Sequence, residues 1–181
     1  MLTSGTDGRH PYQMKRPTAN RDKASLLLFL DTGLRVSEAC RLRVEDLNQE
    51  TGEILVAPHG SGQKTKPRTA YLGKVAQRAM WLYLAKRPNL VKKDRLFEMD
   101  GDTIRSLLRR LGERAGVNDV HPHRLRHTFA ITYLRNGGDV YSLKYLLGHS
   151  SLKMVEHYLH LTGTDASNAH RKASPADNWR L

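Results

Sequence analysis

Along most of the chain, apolar residues recur at intervals of three and four positions, which is the spacing of a helix with one buried face. This spacing predicts helices over residues 21–32, 36–42, 75–86, 102–115, 122–135, 140–147 and about 151–161. Most of these segments are followed by a glycine, as expected where a helix ends in left-handed backbone. The glycines that we expect to end helices are Gly33, Gly116, Gly148 and Gly163.

Polar residues mark the expected helix starts. Asn20 is the predicted N-cap of the first helix, and Asp139 that of the sixth. Either Ser150 or Ser151 is expected to cap the last helix, because a side-chain oxygen can accept the free N–H groups of a first turn. Pro122 suits the first position of the fifth helix.

Two short segments depart from the helical spacing. Residues 53–57 and 68–72 are rich in apolar and β-branched residues, which is typical of strands, and residues 58–67 are expected to form a long loop between them. The two strands are predicted to form one antiparallel hairpin. The fold class expected from the pattern is therefore mostly α with a small antiparallel β-sheet, an α+β fold.

The two ends of the chain lack this patterning. Residues 1–20 are predicted to be a flexible arm or linker stub, and residues 163–181 a tail, so residues 21–162 are expected to form one domain. Apolar runs such as 26–30 are far shorter than the roughly 20 residues of a membrane span, and no signal peptide is expected either. The single cysteine, Cys40, excludes an internal disulfide.

The charge balance suggests a partner. The 181 residues contain 30 Lys and Arg but only 18 Asp and Glu, which gives a formal net charge of +12 at pH 7. Such a surplus in a small domain favours a polyanion, most often a nucleic acid. The alternative is a basic protein that has no such partner.

The segment His121-Pro-His-Arg-Leu-Arg-His127 is the first candidate for chemistry. His123 and Arg126 are three residues apart and are expected on one helix face. The alternatives are a solvated basic face or a metal site made of three imidazoles. Two arginines in the segment and the lack of any Cys or carboxylate disfavour a metal.

The segment Leu146-Leu-Gly-His-Ser150 places His149 in a tight turn, and Tyr158 follows nine residues later. In the last helix the spacing makes Leu152, Val155 and Leu159 the better core candidates. Tyr158 is therefore expected at the edge of the buried face, and a half-buried structural tyrosine is its alternative interpretation.

The segment Thr32-Gly-Leu-Arg-Val-Ser-Glu38 places Arg35 in the turn after the first helix. Glu38, three residues on, is near enough to hold the guanidinium of Arg35. The alternative is a surface ion pair worth less than about 1 kcal/mol.

The loop Gly60-Ser-Gly-Gln-Lys-Thr-Lys66 resembles half of a phosphate-binding P-loop. Gln63 separates Gly62 from Lys64, and a strand follows where a P-loop needs a helix, so no nucleotide site is expected. A lysine loop between two strands is instead suited to entering a DNA groove or delivering a proton.

Each of these motifs is weak alone, but their order is specific. The succession of an arginine, a hairpin lysine, His-x-x-Arg, Gly-His and a tyrosine nine residues later resembles the tyrosine recombinases, the phage-type integrase family. The resemblance covers about residues 21–161. It rests on Thr-Gly-Leu-Arg-Val-Ser-Glu, His-Pro-His-Arg-Leu-Arg-His-Thr-Phe-Ala and Leu-Leu-Gly-His-Ser-Ser, which are near-verbatim family motifs.

The resemblance implies the catalytic-domain fold of that family and a set of catalytic residues. They are Arg35, Lys64, His123, Arg126, His149 and Tyr158. The tyrosine matches the nucleophile, the arginines match those that hold the scissile phosphate, and the histidines match the two of the active site. Lys64 is chosen as the lysine and Lys66 is kept as second, while His127 is expected to have a structural role.

The resemblance also implies an activity and its partners. Site-specific cleavage and rejoining of double-stranded DNA through a 3′-phosphotyrosine link is expected, without metal, nucleotide or other cofactor. A tetramer on paired DNA sites, a cytoplasmic, nucleoid-associated location and no membrane partner are expected as well. A type IB topoisomerase and a non-catalytic DNA-binding module are the alternatives.

Two features at the chain ends bear on the same resemblance. These recombinases usually carry an N-terminal DNA-binding domain, whereas only about twenty residues precede the matched region here. The tail after Gly163 is expected to dock on a neighbouring protomer or to fold back on its own.

Overall fold

The computed structural model describes residues 18–58, 67–162, 170–171 and 174–178. Its helices are α1 Ala19–Thr32, α2 Val36–Ala39, α3 Lys74–Leu84, α4 Gly101–Ala115, α5 Pro122–Arg135, α6 Val140–Leu147, α7 Lys153–Thr162 and a last short helix, Pro175–Asn178, with a single 3-10 turn at Val44–Asp46. The strands are β1 Glu53–Val56 and β2 Arg68–Tyr71. The predicted class, mostly α with a small antiparallel sheet, is confirmed.

The two strands form the predicted hairpin, each one residue shorter than expected. They pair antiparallel with Glu53 opposite Tyr71 and Val56 opposite Arg68. Val56 and Ala70 are buried on the inner face of the hairpin, at 2% and 1% exposure. Arg68 is on that inner face too and is only 3% exposed, so a guanidinium occupies a position at which the strand pattern expects an apolar side chain.

The glycine stops are confirmed wherever the structure describes them. Gly33, Gly116 and Gly148 follow α1, α4 and α6 with φ of 60°, 67° and 62°. These values lie in the left-handed region, which glycine enters without the steric cost of a Cβ. Gly163 lies outside the described residues.

The predicted helix starts are less accurate. Asp139 caps α6 as expected, since its Oδ1 accepts from the backbone N–H of Tyr141 at 2.9 Å. Asn20 does not cap α1, because the helix already begins at Ala19 and the Asn20 amide donates to the Leu82 carbonyl of α3 at 3.1 Å. The side chain of Asn20 therefore makes a contact with α3 instead of capping α1.

Two further boundaries differ from the sequence expectation. α7 begins after Leu152, whose carbonyl accepts the N–H groups of Val155 and Glu156 in the first turn, so neither Ser150 nor Ser151 is the cap. α2 ends at Ala39 instead of Leu42, because the Leu42 carbonyl leaves the helical direction to accept the N–H of Leu96 at 2.7 Å.

Two apolar clusters form the core, and α5 joins them. The larger cluster fills the space between α1, the hairpin, α3 and α4, and it includes Leu125 at the start of α5. The smaller cluster lies between the rest of α5, α6 and α7. Its buried members are Phe129, Ala130, Leu134, Leu143, Leu147, Val155 and Tyr158. The turn after α1 lies against the smaller cluster and the end of α6, since a Cβ on Gly33 would fall 2.5 Å from Cδ1 of Phe129 and 2.9 Å from Cδ2 of Leu147.

None of the helices in the described part of the chain combines the length and the apolar character that a membrane crossing requires.

The turn at Gly33 generates a stability prediction. A Cβ on Gly33 would lie 2.5 Å from Cδ1 of Phe129, whereas a Cβ on Gly116 would meet nothing within 4 Å. Gly33→Ala is therefore expected to cost about 2–4 kcal/mol of unfolding free energy, from backbone strain plus overpacking. Gly116→Ala, the matched control with left-handed strain alone, is expected to cost about 1 kcal/mol. Urea unfolding measures both, and equal losses would contradict the packing argument.

Candidate active site

Four of the predicted site residues come together from four separate elements. Arg35 lies in the turn after α1, Arg126 on α5, His149 in the turn after α6 and Tyr158 on α7. Arg126 interacts electrostatically with both Arg35 and Tyr158, and the charges of Arg126 and Arg35 both act on His149. Residues spread over more than 120 positions of sequence thus share one electrostatic environment.

Arg126 is the buried centre of this group, at 6% exposure. Its Nη1 donates to the carbonyl of Gly33 at 2.7 Å, and its Nη2 donates to the carbonyl of Leu147 at 2.6 Å. Burial, followed by the charge of Arg35, lowers the pKa of Arg126 to about 10, so it stays charged at neutral pH. It ties the two turns together and keeps further N–H groups for another acceptor.

Arg35 is held by Glu38, as the sequence predicts. The backbone N–H of Arg35 donates to Oε2 of Glu38 at 2.8 Å, and its Nη1 lies 3.3 Å from Oε1. Glu38 is 3% exposed, so the alternative of a surface ion pair is wrong. The side chain of Arg35 remains one-third exposed, at 33%, and is the more accessible of the two predicted phosphate-binding arginines.

Arg68 also belongs to this group, although the sequence analysis does not predict it. Its two terminal nitrogens donate to the two carboxylate oxygens of Glu38, both at 2.9 Å, and its Nε donates to the carbonyl of Leu146 at 2.8 Å. The strand pattern held the signal. Arg68 lies two residues before the inward-facing Ala70 and therefore on the same face of the strand, and a charged residue at an inward position of a predicted strand indicates a buried partner.

His149 follows the left-handed Gly148, as predicted. Burial is the largest cause that lowers its pKa, to about 4, and the charges of Arg126, Arg35 and Arg68 add to it. The imidazole is therefore neutral at pH 7. Its Nδ1 is buried and has no hydrogen-bond partner among the described residues.

The expectation that Tyr158 lies at the edge of the buried face of α7 is wrong. Tyr158 is 4% exposed and belongs to the smaller core cluster together with Val155, one turn before it. The reason is that α7 packs against both α5 and α6, which widens its buried face. Burial raises the pKa of the Tyr158 hydroxyl, and the charge of Arg126 opposes this only in part.

The histidines of α5 form a chain of contacts that leads to Tyr158. Nε2 of His123 lies 2.8 Å from Nε2 of His127, whose ring meets the ring of Tyr158 edge-on at a centroid distance of 5.3 Å. Burial, followed by the charge of His123, lowers the pKa of His127. His127, which was expected to be structural, is thus the histidine of α5 in contact with Tyr158, while His123 is exposed.

Lys64 and Lys66 lie outside the described residues, as does the loop that resembles half of a P-loop. In the part of the chain that the structure describes, no three His, Cys, Asp or Glu side chains are grouped so that they could hold a metal ion.

Comparison with known sequences gives one family and several relatives. Residues 11–164 match the model of the phage integrase family. The chain is 35% identical to tyrosine recombinase XerC of Oceanobacillus iheyensis over 175 residues, which is 90% of this chain and 56% of that protein. It is 36% identical to tyrosine recombinase XerA of Thermococcus kodakarensis over 164 residues, 87% of this chain and 57% of that protein. The chain therefore spans little more than half the length of these relatives.

Solved structures with the same architecture include a crystal structure of XerA recombinase. It has a TM-score of 0.68 and 32% identity, and it covers 90% of this chain and 58% of that one. The catalytic domain of bacteriophage HP1 integrase has a TM-score of 0.65 and 25% identity, covering 91% of this chain and 86% of that one. A pre-cleavage complex of XerH recombinase with its difH substrate has a TM-score of 0.68 and 26% identity, covering 82% and 45%.

The lowered pKa of His149 predicts how stability depends on pH. Below about pH 6.5 the unfolded chain binds the His149 proton, while the folded chain does not bind it until about pH 4. The unfolding free energy should therefore fall as pH drops through this window. His149→Gln should lose less stability than the unmodified chain between pH 7 and pH 5, as measured by urea unfolding.

The exposed His170 provides the control for this measurement. His170→Gln should keep the pH dependence of the unmodified chain. An identical fall in stability for His149→Gln and the unmodified chain would contradict the assignment.

Proposed function

We propose, from the premise that this chain belongs to the phage integrase family, that it is the catalytic part of a tyrosine-type site-specific DNA recombinase. The fold expected for that family's catalytic domains is confirmed by the structural matches. The observation that carries the proposal is that Tyr158 lies within electrostatic reach of the buried, charged Arg126, whose charge acts on His149 together with that of Arg35.

The arginines meet the charge of the substrate. Attack on a phosphodiester adds negative charge to its non-bridging oxygens, and preorganised guanidinium groups stabilise that charge. Arg126 has free N–H groups beyond the two that bind carbonyls, and Arg35 is partly exposed with a single side-chain contact at 3.3 Å. Both can therefore donate to one phosphate, and no metal is required for this task.

Tyr158 is the proposed nucleophile. Its oxygen attacks phosphorus, forms a 3′-phosphotyrosine bond and breaks the bond from phosphorus to the 5′-oxygen. Because burial raises the pKa of Tyr158, its proton needs an acceptor. We keep His123 as that acceptor, and the contacts from Tyr158 to His127 and from His127 to His123 support a proton path along α5.

His149 and a lysine complete the reaction. A neutral imidazole has one N–H, which His149 can donate to a phosphate oxygen. The leaving 5′-oxygen takes a proton from a cation, for which we propose Lys64, with Lys66 as the second candidate. In the reverse step a 5′-hydroxyl attacks the phosphotyrosine and reseals the strand, so the bond energy is conserved and no nucleotide or other cofactor is consumed.

The partner is double-stranded DNA. The net charge of +12 supports this, as do relatives whose structures contain DNA, such as XerH with difH and the Tn1549 transposon integrase with circular intermediate DNA. We further propose a tetramer on paired sites and a cytoplasmic location on the nucleoid. The proposed catalytic unit runs from Ala19 to residue 162, two residues more than the expected 21–162, because Ala19 and Asn20 belong to α1 and not to an arm at 1–20. The residues before it are the proposed arm, and residues 163–181 are the proposed tail, which docks on a neighbouring protomer.

The nucleophile is tested with a nicked suicide duplex, which traps the covalent adduct. Tyr158→Phe removes the attacking oxygen and should reduce the adduct below detection while DNA binding changes little. Tyr141→Phe is the matched control, because Tyr141 is 73% exposed on α6, and it should form adduct normally. Persistence of the adduct in Tyr158→Phe would sink the assignment, and relaxation of supercoils without paired sites would favour a topoisomerase.

The lysine is tested with a substrate whose bridging 5′-oxygen is replaced by sulfur. A thiolate leaves without a proton, so a variant that lacks the general acid should cleave this substrate almost normally. Lys64→Ala should cleave the ordinary substrate roughly 100-fold more slowly and be rescued by sulfur. Lys66→Ala is the matched comparison in the same loop, and rescue of Lys66→Ala alone would show that Lys64 is the wrong choice.

A further inference from the structure

We infer that Arg68 is a positioning residue of this site, which occupies the carboxylate of Glu38 so that the guanidinium of Arg35 stays free to bind the scissile phosphate. The inference rests on the proposed function and adds to it a residue outside the set that the family motifs suggest. It stands on the contacts of Arg68, Glu38 and Arg35.

Two arginines share the carboxylate of Glu38 unequally. Arg68 binds both carboxylate oxygens at 2.9 Å, in the bidentate geometry that gives the strongest ion pairs. Arg35 reaches only Oε1 with its side chain, at 3.3 Å, because Oε2 is taken by its own backbone N–H and by Arg68. The side chain of Arg35 is therefore loosely held and remains one-third exposed.

The ion pair of Arg68 and Glu38 is buried. The side chains of Arg68 and Glu38 are 2% and 1% exposed. Burial by itself would raise the pKa of Glu38, yet the hydrogen bonds and charges of Arg68 and Arg35 hold it below its usual value of 4.5. Glu38 is thus a buried anion that needs a cation, and without Arg68 the nearest described cation is Arg35.

Arg68 also contacts the end of α6, where the turn that carries His149 begins. Its Nε donates to the Leu146 carbonyl at 2.8 Å, and a Cβ on Gly148 would lie 3.1 Å from its Nη1. Arg68 therefore touches the turn that carries His149 as well as Glu38, the residue that holds Arg35. It is the first residue of β2, directly after the segment that contains both candidate lysines.

These contacts determine what removal of Arg68 would do. The carboxylate of Glu38 would turn to the guanidinium of Arg35 and draw it into a closed ion pair. Arg35 would then be occupied by Glu38 when a phosphate needs it. Removing the charge of Glu38 as well should release Arg35 again, and Glu38→Gln keeps an amide oxygen for the Arg35 backbone N–H.

The first measurement does not depend on cleavage. A crystal structure of Arg68→Met should show Arg35 moved onto Glu38 with two short contacts in place of the one at 3.3 Å. An unchanged Arg35 would overturn the inference. Because this result needs no activity, a chain that never cleaves DNA would refute the proposed function while the inference is still judged.

The second measurement separates positioning from mere structural support. Cleavage is compared on a duplex with an ordinary scissile phosphate and on one with a neutral methylphosphonate, which carries no charge for Arg35 to meet. Arg68→Met should slow the ordinary substrate by roughly 10- to 100-fold, a fraction of what one preorganised donor supplies, and slow the methylphosphonate much less. Equal slowing of both substrates would overturn the inference, because general damage affects them alike.

The third measurement uses compensation. Arg68→Met/Glu38→Gln should recover most of the lost rate, and it should fold even if Arg68→Met does not, because no unpaired charge is left buried. Arg68→Lys keeps the charge without the bidentate geometry and should show the same substrate preference with a smaller loss. A double variant as slow as Arg68→Met on the ordinary substrate would contradict the inference.

The matched control is an arginine with similar bonds elsewhere. Arg87 lies 2.8 Å from Glu98 and donates to the Tyr83 hydroxyl at 2.7 Å, and neither partner belongs to the site. Arg87→Met should cleave both substrates at the rates of the unmodified chain. If it reproduces the substrate preference of Arg68→Met, the preference does not come from Glu38 and the inference is wrong.

Discussion

An imbalance of charge in a buried place is the constraint on which the rest of this structure depends. Arg68 and Arg126 are both less than a tenth exposed, and Arg35 lies beside them. Glu38 is the carboxylate that the described contacts place among these cations. Burial is the largest cause that lowers the pKa of Arg126 to about 10 and that of His149 to about 4, and the surrounding positive charges add to it.

The surplus positive charge is stabilised by backbone carbonyls at the C-terminal ends of two helices. Arg126 donates to Gly33, which ends α1, and to Leu147, which ends α6. Arg68 donates to Leu146 in the same last turn of α6. The last carbonyls of a helix have no partner within the helix and carry partial negative charge, so they are good acceptors for a guanidinium. The left-handed glycines at both ends are thus part of the site, because they finish the helices where the arginines need acceptors.

Sequence reasoning recovered what is encoded locally. The stops at Gly33, Gly116 and Gly148 follow from backbone sterics at one residue, and the structure confirms each of them. The pairing of Arg35 with Glu38 spans three residues and was also within reach. The proposed catalytic residues follow from motif order alone, since no local property of Tyr158 distinguishes a nucleophile from a structural tyrosine.

Contacts between segments that are distant in sequence cannot be predicted from the local pattern of apolar and polar residues. The bond from Arg126 to Gly33 joins residues 93 positions apart, and that from Arg68 to Leu146 joins residues 78 apart. The full burial of Tyr158 does not follow from helical spacing. Spacing locates the apolar face of α7, but the width of the buried face depends on how many helices pack against it. Asn20 shows the same limit, since its contact with Leu82 depends on how α1 meets α3.

The same charges that suit the site to a phosphodiester work against the folded chain when no anion is bound. Repulsion among the guanidinium groups and the neutral state forced on His149 are costs of folding, and the two apolar clusters on either side offset them. A bound phosphate carries the negative charge that the cluster lacks, so binding should relieve the repulsion and stabilise the folded chain by mass action. In the proposed reaction, the additional charge that develops during attack on phosphorus would extend this relief, because the surrounding donors are already fixed by carbonyls and by Glu38. In this site the cost to stability and the capacity to stabilise a transition state therefore have one origin.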